Sequence, residues 1–220
     1  MNDWKRFLPE SLLKKYEFYN YNHAVEILTQ AYPGEFQEII DMLEGFYIDL
    51  DDILQGGGSK SLIPKKIDRC LFPQGWAETQ LEGDLTIRIK ERQPESKNLP
   101  GKVIENFLEG HNIDYVKGKL AFDLEWNSKD QTFDRDLYAL RTYYETGIIA
   151  CGILMTRSES MNAVFKELGI MKKYGASTTW MGKLTPRIQS NRHGGCPLLV
   201  IGMTPACVRK GKGESHEQGL

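Results

Sequence analysis

Residues 111–130 read HNIDYVKGKLAFDLEWNSKD. Two runs of alternating character meet here at Lys117-Gly118, the composition of a tight turn between antiparallel strands. Side chains alternate along a strand, so Ala121, Asp123 and Glu125 share one face of residues 120–126. Leu120, Phe122, Leu124 and Trp126 share the other and read as core. Two acids at i and i+2 on an otherwise apolar strand are costly unless solvated or neutralised. A turn about Lys117-Gly118 pairs Val116 with Lys119, Tyr115 with Leu120 and Asp114 with Ala121. That puts Asp114 on the acidic face, diagonal to Asp123 at roughly 7–8 Å between Cα atoms. A one-residue slip would move it to the opposite face. Oxygen ligands without a nearby cysteine favour a hard cation, Mg²⁺ above all, and such an ion suits phosphoryl chemistry. Alternating acids on a strand also read as a plain solvated sheet face.

Further elements follow on both sides. Residues 35–47, EFQEIIDMLEGFY, carry Phe36, Ile39, Ile40, Leu43 and Phe46 at helical spacing. LTIRI (85–89) reads as a strand, and KVIENFLEG (102–110) as a short helix capped by Gly110. Residues 128–147 read as a helix with Phe133, Leu137, Leu140 and Tyr144 inward and Gly147 as cap. Asp130, Asp134 and Asp136 fit its N-terminal end, where the dipole favours acids. The apolar runs IIACGILMT (148–156) and LLVIGM (198–203) read as buried strands, with a helix, SMNAVFKELGI, between them. Strands alternating with helices predict an α/β fold, a mixed sheet with helices on both faces. The chain reads as one domain: a helical part over 1–60, a core over 61–205 and a polar tail over 206–220. Gln55-Gly56-Gly57-Gly58-Ser59-Lys60 reads as a loop between the first two parts.

Composition narrows the function classes. Hydrophobic residues make up 40% and charged ones 26% of 220, enough for a full core. No apolar run approaches the roughly 18–20 residues of a membrane helix, and the N-terminus lacks a secretory pattern. Four cysteines without CxxC spacing argue against structural zinc and for reduced thiols in a cytosol. The net charge of −2 does not advertise nucleic-acid binding, so local distribution must carry that argument. Residues 171–192, MKKYGASTTWMGKLTPRIQSNR, hold five basic residues and no acid. Lys172, Lys173, Lys183, Arg187 and Arg192 are candidate phosphate contacts. Ser177, Thr178, Thr179 and Asn191 are short polar groups of the kind that reach base edges and backbones. A solvated basic loop is the plainer alternative.

The ordered combination of HNIDYVKGKLAFDLEWNSKD, FDRDL with Leu140-Arg141, GIIACGILMTR, YGASTTWMGKLTPRI and GGCPLLVIGM resembles the BglII/BstYI family of type II restriction endonucleases. The likeness spans about 66–205 and includes Phe72-Pro73-Gln74-Gly75-Trp76. The first 60 residues match more loosely, through YNYNHAVEIL. The resemblance implies a PD-(D/E)xK nuclease core, a restriction-endonuclease-like sheet, with Ile113-Asp114 for the first motif part and Asp123-Leu124-Glu125 for the second. Proline is absent before Asp114, and Glu125 stands at the lysine position, where related enzymes also carry Glu or Gln. Glu125 then binds metal, positions water or accepts its proton. Lys129 is a candidate catalytic lysine four residues on, and Glu105 a candidate upstream acid. The resemblance also implies Mg²⁺, double-stranded DNA with a palindromic site, a homodimer, a bacterial cytoplasm, and a cognate DNA methyltransferase as a functional counterpart rather than a bound partner. Other readings are a repair or structure-specific nuclease, or a non-catalytic DNA-binding protein, on the same fold.

Overall fold

The computed structural model describes residues 4–54, 62–92, 98–108 and 111–209. The loop expected at 55–60, the cap at Gly110 and the tail from 210 lie outside them. In chain order the elements are α1 (Glu10–Lys15), β1 (Tyr16–Tyr21), α2 (Ala24–Ala31), α3 (Pro33–Gly45), β2 (Ile48–Asp49), α4 (Leu50–Leu54) and α5 (Leu62–Leu71). Then come β3 (Ala77–Gln80), β4 (Gly83–Lys90), β5 (Asn98–Leu108), β6 (Asn112–Lys117), β7 (Leu120–Glu125) and α6 (Thr132–Glu145). The chain closes with β8 (Cys151–Arg157), α7 (Met161–Glu167), α8 (Met181–Gln189), β9 (Leu198–Met203) and β10 (Val208–Arg209).

Six strands form one mixed sheet in the order β1-β9-β8-β7-β6-β3. Its centre, β7-β8-β9, is parallel, and β1, β6 and β3 add antiparallel edges. All residues of β7, β8 and β9 are buried, as parallel strands covered on both faces require. Leu120, Phe122, Leu124 and Trp126 pack with residues of α1, α2, α3, α5 and α7 on one face. Ala121, Leu154, Leu198 and Val200 pack on the other with Phe133, Leu137 and Leu140 of α6 and Leu184 and Ile188 of α8. This is the restriction-endonuclease-like α/β arrangement that the sequence implies. Among the described residues no helix is long and apolar enough to cross a membrane.

Four local expectations are corrected. Residues 98–108 form strand β5, not a helix over 102–110, and pair antiparallel with β4. Asn106, at φ 54°, breaks the two-residue period that would have disclosed a strand, and its N–H donates to Asp84 Oδ1 at 2.9 Å. Cross-strand pairing outweighs a weak helical pattern here. β1 inserts at the sheet edge beside β9, so the N-terminal part is not solely helical. β8 begins at Cys151 rather than 148. The hairpin turn is Gly118-Lys119, with Lys117 opposite Leu120 and Tyr115 opposite Phe122. Gly118, at φ 56°, takes the left-handed first turn position that favours glycine. The register therefore differs by two residues from the expected one. A two-residue shift keeps every side chain on its face, and continuing the ladder brings Asp114 opposite Asp123 instead of Ala121.

Candidate active site

β7 carries Asp123 and Glu125 toward the α6 side of the sheet, and β6 brings Asp114 beside them. The Leu124 N–H donates to Asp114 Oδ2 at 3.3 Å, which ties the first acid to the strand of the other two. All three line a cavity of about 410 Å³ together with Glu78, His111, Asn112 and Arg135. Asn112 Nδ2 donates to Glu78 Oε1 at 2.8 Å on its rim. The ring of His111 meets Tyr138 edge-on at 5.7 Å.

The electrostatics are those of buried carboxylates crowded around one arginine, Arg135. Burial pushes the Asp123 pKa well above the usual range, and the charges of Asp136 and Asp114 add to it. Glu125 is raised chiefly by burial. Asp136, only 1% exposed, is pushed up to about 8 by burial and then by the charge of Glu125, against the pull of Arg135. Arg135 Nη2 lies 3.2 Å from Asp136 Oδ1 and 3.9 Å from Glu125 Oε1. Among the described residues, Glu125 Oε2 and Asp136 Oδ2 are buried without a hydrogen-bond partner. Buried, partnerless carboxylate oxygens are expensive to maintain. A hard cation would supply what they lack, and an all-oxygen donor set suits one. Among the described residues no three His, Cys, Asp or Glu side chains are grouped closely enough to form a ready-made metal site.

Sequence reasoning brought Asp114, Asp123 and Glu125 to this cavity but treated Asp136 as a helix-end acid and passed over Arg135 and Glu78. Asp136 was detectable: it lies three residues after Phe133 and four before Leu140, on the inward face of α6. Lys129 is exposed, does not line the cavity, and pairs through its backbone with Thr178. Glu105 is exposed on β5, away from the cavity lining.

The basic stretch is more internally engaged than its composition suggests. Lys172, Ser177 and Asn191 are exposed. Lys173 Nζ donates to the Ile53 carbonyl at 2.8 Å. Thr178 Oγ1 donates to the Gly175 carbonyl at 2.7 Å and accepts from Arg157 at 2.6 Å. Thr179 is fully buried, and its Oγ1 accepts from the Ser128 N–H at 3.2 Å. Lys183 approaches Asp130 at 3.6 Å, Arg187 pairs with Asp134 at 3.1 Å, and Arg192 also pairs with Asp134. Asp130, just ahead of α6, and Asp134 on it thus engage three of the five cations.

A family model described as restriction endonuclease BglII/BglIII matches residues 16–203, from the first residue of β1 to the last of β9. The chain belongs to this family. A search of curated proteins found no match. Membership makes the protein a type II site-specific deoxyribonuclease, a hydrolase of double-stranded DNA from a family that generally depends on divalent metal ions. The six-stranded sheet with its acidic cavity is the part of this chain on which such chemistry can be built.

Proposed function

We propose that this BglII-type endonuclease is a Mg²⁺-dependent, two-fold dimer that hydrolyses both strands at a short palindromic DNA site, the whole chain acting as one endonuclease domain. The observation that carries the reading is the convergence of Asp114, Asp123 and Glu125 on one cavity with a buried, partnerless Glu125 oxygen. Asp114, Asp123 and Glu125 would hold the ion. When bound, Mg²⁺ polarises the phosphate, acidifies a water and stabilises the leaving oxygen. Glu125, whose Oε2 has no hydrogen-bond partner among the described residues, would orient the attacking water, the part a motif lysine would otherwise play. Leu124, through its N–H, keeps Asp114 turned toward the cavity. Digestion of a plasmid of known sequence with Mg²⁺, with and without EDTA, and sequencing of the ends tests this directly. Discrete symmetric ends formed only with the metal are expected. Cutting that persists in EDTA overturns the metal reading.

A palindrome cut on both strands calls for two equivalent centres related by a dyad. Sedimentation with and without DNA is expected to show a species of twice the 25.2 kDa chain mass. A monomer that makes full double-strand breaks would overturn the dimer.

We assign the stretch 171–192 to DNA contact. Lys172, exposed at its start, fits a backbone contact: Lys172→Ala should weaken binding to all sequences alike and lower the salt slope by about 1. Ser177, Asn191 and Arg192 fit the base side, where replacement should cost roughly 1–3 kcal/mol on the cognate site and relax discrimination. Lys173, Lys183 and Arg187 fit phosphate contacts by changing partners on binding, and Thr178 and Thr179 support the loop that presents Ser177. Binding titrations over cognate and single-mismatch duplexes at several salt concentrations separate the two classes. Unchanged affinity and slope throughout would place the DNA-reading surface elsewhere.

A further inference from the structure

Among the described residues Arg135 is the only lysine or arginine that lines the acidic cavity. Glu125 stands where the motif calls for lysine, and Lys129 does not line the cavity. A phosphodiester attacked by water gathers negative charge on its non-bridging oxygens, and a fixed donor aimed there stabilises that state more than the ground state. The Arg135 side chain is 54% exposed, so its outer edge is accessible from the cavity mouth. Its inner edge is anchored, with Nε and Nη2 both donating to Asp136 Oδ1 at 3.3 and 3.2 Å. Asp136 is itself packed in the core side of α6. An arginine held on one side by a buried carboxylate and open on the other keeps donors to spare for an oxyanion. The planar fork of guanidinium matches two phosphate oxygens, which an ammonium does not.

We propose that Arg135 is a catalytic residue that contacts the scissile phosphate and supplies the fixed positive charge absent from the motif's lysine position. The inference rests on the reading of this cavity as the nuclease site. Water adds to phosphorus, one bridging P–O bond breaks, and the products are a phosphomonoester and an alcohol. The proton lost by water balances the one gained by the leaving oxygen. Arg135 donates hydrogen bonds to the non-bridging oxygens throughout, stays protonated and forms no covalent bond.

The test is single-turnover cleavage of a cognate duplex by wild type, Arg135→Ala and Arg135→Lys. Binding is measured in Ca²⁺ and thermal unfolding in parallel. Arg135→Ala is expected to cut about 10²-fold more slowly or worse, with melting and cognate binding close to wild type. Arg135→Lys should recover part of the loss, because it restores charge without the fork. Duplexes with one phosphorothioate diastereomer at the scissile linkage add a readout that a purely structural role would not move. The wild-type rate penalty for the diastereomer whose sulfur faces Arg135 should shrink in Arg135→Ala. Wild-type cleavage by Arg135→Ala overturns the proposal. So do thio penalties identical to wild type, or a rate loss matched by an equal loss of folding. Asp123→Asn distinguishes the underlying reading: if it cuts normally, the cavity is not the nuclease site. If it is inactive while Arg135→Ala cuts normally, only the arginine assignment fails.

Discussion

Asp123→Ala or Asp114→Ala is expected to abolish cleavage while specific DNA binding survives, measured with Ca²⁺ or without metal. Both carboxylates line the acidic cavity, and burial and acidic neighbours push Asp123 toward protonation. Removing either deletes a candidate ligand of the ion that polarises phosphate and activates water, so both effects are lost together. The fold should tolerate the change. Truncating Asp123 removes a buried carboxylate that lacks an ion-pair partner of its own, and the apolar residues of β7 on the opposite face are untouched. Affinity for DNA is expected to rise, because one acid fewer faces the phosphates. A variant that cuts at the wild-type rate would refute the assignment of these acids.

The second large effect is expected on stability, at Arg157. Its side chain is 1% exposed at the end of β8. Nε donates to the Trp126 carbonyl at 2.8 Å and to the Thr179 carbonyl at 3.1 Å, and Nη2 donates to Thr178 Oγ1 at 2.6 Å. The guanidinium also lies 5.9 Å from the Trp126 ring centroid, 5.2 Å from Phe165 and 5.1 Å from Tyr174. Burial pulls its pKa down to about 10, which still leaves it charged at neutral pH. Arg157→Ala strands several buried acceptors at about 1–3 kcal/mol each and opens a cavity between three aromatic rings. A net cost of roughly 3–5 kcal/mol is expected in denaturant unfolding. The loss should be felt at both ends of the connection: at Trp126, next to Glu125, and at 178–179, beside Ser177. A midpoint within error of wild type would show that neighbouring groups satisfy these carbonyls without it.

The sheet and its acids were legible because their signals are local. Period-two alternation placed Asp123 and Glu125 on one face, and the apolar runs at 148–156 and 198–203 announced buried strands, which pair in parallel as β8 and β9. The face of Asp114 came out right although its register was two residues off, since parity alone decides which side a strand residue takes. Asp136 was missed because three acids near a helix start share one dipole explanation, and only the phase of the helix separates the inward one. Helix over 102–110 was the wrong reading because Asn106 interrupts the alternation, and the pairing with β4 that makes the strand is not visible in that window alone. The net charge of 171–192 leaves out its partners: Asp130 and Asp134, which pair with its cations, lie more than fifty positions earlier, where no window of sequence connects them.

On the DNA-contact role proposed for 171–192, its pairings with Asp130 and Asp134 would set how the protein searches. Asp134, shared by Arg187 and Arg192, is 41% exposed, and Asp130 faces Lys183 and Arg187 at longer range. Partly exposed pairs of this kind are worth about 1 kcal/mol or less, so phosphates would displace the carboxylates readily. Until they do, part of the stretch's positive charge would be masked from random duplex. Loose, charge-driven residence on non-cognate DNA would thereby be shortened, and dwell time reserved for sequences whose base edges hold the protein long enough for its arginines to change partners.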